Sequence, residues 1–266
     1  MKRPEFVQAE NMTGPAGVGP VEAFVGAGEL LAGLRRVCAF GGGFGSGKSE
    51  VAVNFAVALV SAGRRVRLAD LDIVNPYFRS REAREPLRAA GVELLLPSEE
   101  MMSADMPVIP PEVRGALASG GGTLVLDLGG GPVGARVMAS IADALVPGEC
   151  DGMFVLNSRR PFTSTVAGAV RMMRDIERVS GLTMNRVVVN SHLIDETDAG
   201  VVGEGVTLAR EVCAETGASV AFVAVERELA GRLDRAAAGY PLLLIDRRLL
   251  KPWEQPARPG STGFRP

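Results

Sequence analysis

Histidine is almost absent from this chain: His192 is the single one in 266 residues. Cysteine is scarce too. Cys38, Cys150 and Cys213 lie far apart and form no CxxC pair. These shortages argue against a structural zinc or iron–sulfur site built within the chain. The odd cysteine count, with no secretory leader in view, reads as a reducing, cytoplasmic setting. Aromatic residues make up 5%, too few for a base-stacking surface of the kind that holds single-stranded nucleic acid. Neither sign of charge dominates: 29 Lys and Arg stand against 31 Asp and Glu, a net charge of −2. Nothing global therefore draws the chain to DNA or to an anionic membrane. No apolar run reaches the ~18 residues of a membrane span. The stretch "VEAFVGAGELLAGL" carries Glu22 and Glu29, which makes it a poor signal core.

What remains is ordinary in amount and ordered in pattern. Hydrophobic residues are 47% and charged residues 23%, enough for a sizeable core. Residues 1–20, polar and rich in Gly and Pro, read as a flexible tail, and 251–266 as a disordered one. The span 21–250 reads as a single domain. Within it a short helix over 21–35 precedes a regular alternation. Strands are expected over 36–40, 65–72, 92–98, 122–131, 151–158, 185–192 and 218–225. Helices are expected over 48–63, 110–119, 163–181, 205–217 and 226–239. Several strands are near-continuous apolar runs, as in strands covered on both faces. The expected class is α/β: a doubly wound, mostly parallel sheet flanked by helices.

The stretch "AFGGGFGSGKSE" (39–50) concentrates five glycines within seven residues, 41–47, immediately before a lysine and a serine. Glycine is costly to order, so such a run implies close approach of backbone to a ligand. Gly42, Gly43, Phe44, Gly45, Ser46, Gly47, Lys48 and Ser49 match G-x-x-x-x-G-K-[ST] at every defined position, between an expected strand and an expected helix. The backbone N–H groups of such a loop, with Glu50 opening the helix behind it, cradle phosphates. Lys48 is assigned to the β- and γ-phosphates and the Ser49 hydroxyl to Mg²⁺.

A phosphate site of this kind needs acidic partners, and two strand ends supply them. Asp70 and Asp72 close "RLADLD". Asp127 closes "GTLVLDLGGG" ahead of Gly129, Gly130 and Gly131, the Walker-B arrangement for Mg²⁺. A turn-capping role for Asp70 and Asp72 stays open.

With the loop at 42–49, "LADLDIVNP" and "LVLDLGGG", the chain resembles the MinD/ParA/CobQ-CobB-like (SIMIBI-class) P-loop ATPases over about residues 35–245. The resemblance implies that Asp72 is the switch I residue that orients or activates the attacking water. It implies that Asp70 supports Mg²⁺-bound water and that Asp127 is the switch II residue. Lys48, Asp72 and Asp127 are then the catalytic set, and Ser49, Asp70 and Asp127 the metal set. At the strand end "RVVVNSHLID" the resemblance places Asn190 against adenine, so ATP is the expected nucleotide; a turn cap is the other reading. The guanine motif N-K-x-D is not completed there.

One departure stands out. Relatives of the MinD/ParA type carry a signature lysine, which reaches a partner's nucleotide across a dimer; here Gly43 occupies that position. Arg79 and Arg81 are candidates to replace it, or else form a solvated basic turn. His192 reads as a surface or base-pocket residue, and Met101, Met102 and Met106 as loop packing. The segment "IDRRLLKPW" offers too little apolar area for a membrane anchor. Three functions remain open. The first is a Mg-ATPase acting as a nucleotide switch on a protein partner, with a nucleotide-dependent homodimer possible. The second is an ATP-dependent synthetase of the dethiobiotin synthetase/CobQ type acting on a small carboxylate. The third is a nucleotide-binding module without turnover.

Overall fold

The computed structural model describes residues 23–72, 84–96, 109–193, 196–233, 237 and 239–249. The tails expected at 1–20 and 251–266, together with Arg79, Arg81, Met101, Met102 and Met106, lie outside them.

Among the described residues nine strands make one sheet: β1 (Phe24–Val25), β2 (Val37–Gly41), β3 (Val66–Leu71), β4 (Glu93–Leu95), β5 (Thr123–Leu128), β6 (Cys150–Leu156), β7 (Arg186–Val189), β8 (Ser219–Glu226) and β9 (Leu242–Ile245). Their spatial order is β1-β9-β8-β7-β6-β2-β5-β3-β4. Only β1 runs antiparallel, against β9; all other neighbours are parallel. The helices are α1 (Gly28–Ala32), α2 (Lys48–Ser61), α3 (Arg84–Ala89), α4 (Pro111–Ala118), α5 (Gly131–Ala135), α6 (Val166–Ser180), α7 (Ala199–Thr216) and α8 (Arg227–Ala230). The expected doubly wound α/β architecture is what forms.

Alternation along the strands sorts side chains onto two faces. Leu124, Leu126 and Leu128 of β5 join the core under α4, α5, α6 and α7. Val125 joins the opposite core, under α1, α2 and α3. That second core is aromatic: the Phe55 and Phe222 rings stack with centroids 5.6 Å apart, and Phe24 and Phe40 meet Phe55 edge-on at 5.8 and 5.1 Å. Phe40, Phe55 and Phe222, each fully buried, contribute about 1.5–3 kcal/mol apiece. Asp127 alternates with Val125 and Asp70 with Leu68, so both carboxylates emerge on the α2 side of the sheet.

Helix ends follow local chemistry. The Thr165 and Asp198 side chains accept from Gly168 N and Val201 N at the starts of α6 and α7, and left-handed Gly181 and Gly217 end them. The Asp198 cap explains why α7 begins at Ala199 rather than at 205. Three further boundaries differ from expectation. The 21–35 segment splits at left-handed Gly26 into β1 and α1, because Phe24 is drawn into the aromatic core. The helix expected over 226–239 stops at Ala230. Leu242–Ile245 adds a strand, β9, beyond the last one expected.

The strand order places a reversal at β2. The chain leaves it toward β3 and β4, returns through β5, and then continues on the other side from β6. Carboxyl ends of parallel strands on either side of such a reversal frame a crevice, and the glycine loop closes β2 at that point.

Candidate nucleotide-binding site

The loop between β2 and α2 is held from outside by its carbonyls. Gly131 N donates to Gly42 O at 2.8 Å, Arg160 Nε to Gly45 O at 2.7 Å, and Asn190 Nδ2 to Ser46 O at 2.7 Å. With these carbonyls turned outward, the N–H groups of Gly45, Gly47, Lys48 and Ser49 have no protein acceptor among the described residues. That is the electrostatic form of an anion nest continued by a helix N-terminus. Gly47 has φ +83, and a Cβ there would lie 2.3 Å from Asn190 Nδ2, so only glycine closes the loop.

Lys48 and Ser49 open α2. The Lys48 ammonium rests 3.8 Å from Asp72 Oδ2, with both residues buried. Asp70 Oδ1 accepts from Asp72 N at 2.9 Å, a bond that shapes the chain leaving β3. This bond is the turn cap that the sequence left open for Asp70.

Asp127 stands opposite Asp70 in the β3–β5 ladder and is fully buried. Burial pushes its carboxyl up to about 7; the Lys48 charge opposes this and the Asp70 charge adds to it. The Ser49 side chain stands near and lowers it somewhat, yet no donor meets either Asp127 oxygen at hydrogen-bond geometry. A buried carboxylate with both oxygens unsatisfied, beside a serine in the first turn of α2 and a second aspartate, suits a hard divalent cation. Among the described residues no three His, Cys, Asp or Glu side chains would hold a metal by themselves. The donor set therefore fits an ion that brings phosphate and water oxygens with it.

The turn after β5 is packed against the loop. Gly129 and Gly134 approach so closely that a Cβ on Gly134 would sit 2.2 Å from Gly129 C. The Phe44 ring lies over Gly130, where a Cβ would be 2.6 Å from the ring edge. The ring and the Gly131–Gly42 bond link the two glycine segments directly.

From the loop a cavity of about 460 Å³ extends past Asn190 and His192 to Val225, Glu226, Ile245 and Arg247 at the ends of β8 and β9. Burial depresses the His192 pKa, and the Arg160 and Arg247 guanidiniums depress it further, so the ring is neutral at pH 7. The Glu50 carboxylate, which also lines the cavity, is hydrogen-bonded within the chain. Its Oε1 accepts from Arg248 N (2.7 Å) and Asn54 Nδ2 (3.0 Å), and its Oε2 from Leu249 N (3.0 Å), fastening the chain after β9 onto α2. Burial raises the Glu50 pKa while these bonds lower it.

All the loop residues, Lys48, Ser49, Asp70, Asp72, Asp127 and Asn190 thus come together at one edge of the sheet. Arg160, Glu226 and Arg247 went unnoticed in the sequence. Their common signal is position: each lies at or just past the carboxyl end of a strand.

The sequence model of the CobQ/CobB/MinD/ParA nucleotide binding domain matches residues 37–205. The chain belongs to this family. As a CobQ/CobB/MinD/ParA member it is a nucleotide-binding P-loop protein, and Gly43 marks it as one without the signature lysine. No curated protein matches it closely. Among solved structures it is similar to chloroplast FtsY from Physcomitrella patens (18% identity, 71% of this chain and 58% of that one, TM-score 0.49). It is also similar to the cell division protein FtsY from Thermotoga maritima (19%, 72% and 62%, 0.49) and to the signal recognition particle 54 kDa protein from Aeropyrum pernix in complex with GDP (18%, 71% and 41%, 0.48). It spans less than two thirds of each of these.

Proposed function

We propose that the protein is a Mg²⁺-dependent ATPase that switches a protein partner with its nucleotide state. The observation that carries this reading is the buried Lys48–Asp72 pair lining the cavity, with fully buried Asp127 in electrostatic reach of Lys48 and Ser49. Lys48 would exchange its contact with Asp72 for β- and γ-phosphate oxygens. Asp72, released, would then orient a water. Ser49 and Asp127, with Asp70 behind, would hold Mg²⁺. The ion supplies charge neutralisation on the β- and γ-phosphate oxygens.

Adenine is favoured by the hydrogen bond that fixes Asn190: its Nδ2 is bound to Ser46 O, which leaves Oδ1 as an acceptor for an exocyclic amino group. Ser191 and Leu193 stand where N-K-x-D would need Lys and Asp. Partner switching is supported by the link from the loop to the turn after β5. A change at the phosphates would move Gly130 and Gly131 and with them α5. Phe44, Val133 and Phe162, near that end, are 57%, 63% and 77% exposed, apolar surface that a partner or a second copy would cover. In the carboxylate-activating alternative the segment "NPYFRSREAREPL" (75–87) would hold the acidic substrate, and its residues 75–83 lie outside the described ones.

The test is Mg²⁺-dependent binding and hydrolysis of ATP and GTP by the purified protein. ATP is expected to bind more tightly than GTP. Lys48→Ala is expected to weaken binding roughly 10- to 100-fold through loss of charged hydrogen bonds. Asp72→Ala is expected to keep binding and lose about 100-fold or more in turnover. A protein that binds neither nucleotide would refute the reading. Turnover that appears only with a small carboxylate present would move the assignment to a synthetase.

A further inference from the structure

Building on this function, we propose that Arg160 is a phosphate-binding residue of the same chain, clamped to the loop through Gly45 and supplying the positive charge that Gly43 does not. Three observations carry it. First, Arg160 is anchored where a cation can act on the phosphates. It follows β6, donates from Nε to Gly45 O at 2.7 Å, and lines the cavity together with Lys48 and Asp72. A Cβ on Gly45, which has φ +70, would lie 3.2 Å from Arg160 Nε and 3.4 Å from Cζ, so the guanidinium packs directly against the loop.

Second, its charge is not answered by the protein. Arg159, its neighbour, pairs with Glu204 at 2.6 Å, and Lys48 with Asp72 at 3.8 Å. Arg160 has no carboxylate partner among the described residues, and its terminal nitrogens have no protein acceptor there. A half-buried guanidinium fixed through Nε retains a preorganised fork for anionic oxygens. Third, the position of the signature lysine carries no charge here: Gly43 stands there, and a Cβ on it would meet only the Met172 methyl, at an ordinary contact distance of 3.8 Å. An arginine supplied within one chain stabilises charge building on a transferring phosphoryl group as one supplied by a partner does. It also leaves turnover per chain independent of a second copy.

The experiment compares wild type, Arg160→Ala, Arg160→Lys and Lys48→Ala. It measures affinity for ADP and for a non-hydrolysable ATP analogue, kcat across a protein-concentration series, the effect of added guanidinium chloride at millimolar levels, and Tm. Arg160→Ala is expected to lose roughly 10-fold in analogue affinity and about 100-fold or more in kcat, while ADP affinity changes by less than about threefold. Arg160→Lys should recover analogue binding more than rate, and added guanidinium should restore part of the rate to Arg160→Ala alone. Wild-type kcat should not depend on protein concentration. Unchanged binding and rate in Arg160→Ala would overturn the proposal. So would equal losses for both nucleotides with a lowered Tm and no rescue, which would make Arg160 a prop of the loop. If Lys48→Ala loses binding while Arg160→Ala does not, this inference falls and the ATPase reading stands. If the wild type binds no nucleotide, both fall.

Discussion

At the scale of single residues, the site is built from groups that the fold would be more stable without. Asp127 is the clearest. Its carboxyl is raised to about 7 chiefly by burial, whereas in the unfolded chain it titrates near 4. Between those values the folded form holds the proton that the unfolded form has released. The stability that the neutral carboxyl allows is fully present below about pH 4 and is lost as pH rises to about 7. Asp127→Asn should therefore raise the Tm of the nucleotide-free protein at pH 8, by a stability on the order of 2–4 kcal/mol, and by far less at pH 5. Thermal unfolding across that range decides the matter, and an equal shift at both pH values would contradict it. Gly47 is constrained by sterics instead. Gly47→Ala must adopt φ +83 and displace the Asn190 amide from 2.3 Å, so it should abolish nucleotide binding even where the variant folds.

At the scale of elements, two packed pairs tie the site together. The first is the loop against the turn after β5, joined by Phe44 over Gly130. Gly130→Ala places a methyl 2.6 Å from the Phe44 ring and should destabilise by about 1–3 kcal/mol, as overpacking does. Adding Phe44→Ala should recover most of that loss, a coupling that a double-mutant cycle in denaturant reads directly. Gly134→Ala meets Gly129 backbone at 2.2 Å, so Phe44→Ala should not rescue it. The second pair is α2 with the chain after β9, joined by Glu50. Glu50→Ala strands the N–H groups of Arg248 and Leu249. It should loosen the base end of the cavity, seen as faster amide exchange at 242–249 with little change at the loop. At α7, Asp198→Ala removes the cap bond to Val201 N and should cost about 1 kcal/mol.

At the scale of the whole molecule, two cores sandwich one sheet, and protection should follow depth. The β2, β5 and β6 strands lie inside the sheet with residues almost wholly buried, while β1 and β4 form the edges. Native-state hydrogen exchange should be slowest in these three strands and fastest in the two edges. Comparable rates in β4 and β5 would contradict this ordering.

Much of this was legible before any coordinates. The near-continuous apolar runs announced a sheet covered on both sides, and the glycine loop between a strand and a helix announced phosphate binding, because both are consequences of local backbone chemistry. Element boundaries were less legible where a tertiary contact outweighed local propensity. Phe24 left a helix-like stretch for the aromatic core, and Leu242–Ile245 became a strand only because β8 offered a free edge. Local sequence by itself determined the phosphate loop, the alternation of strands and helices, and the acidic strand ends, since each is encoded within a few consecutive residues. Tertiary structure alone decided which strand ends meet. Parallel strands all finish at one edge, and the order β5-β2-β6 brings Asp127, Lys48 and Arg160 together from positions up to 112 residues apart. No local pattern records that distance, because strand order is set by how the helices cover the two faces.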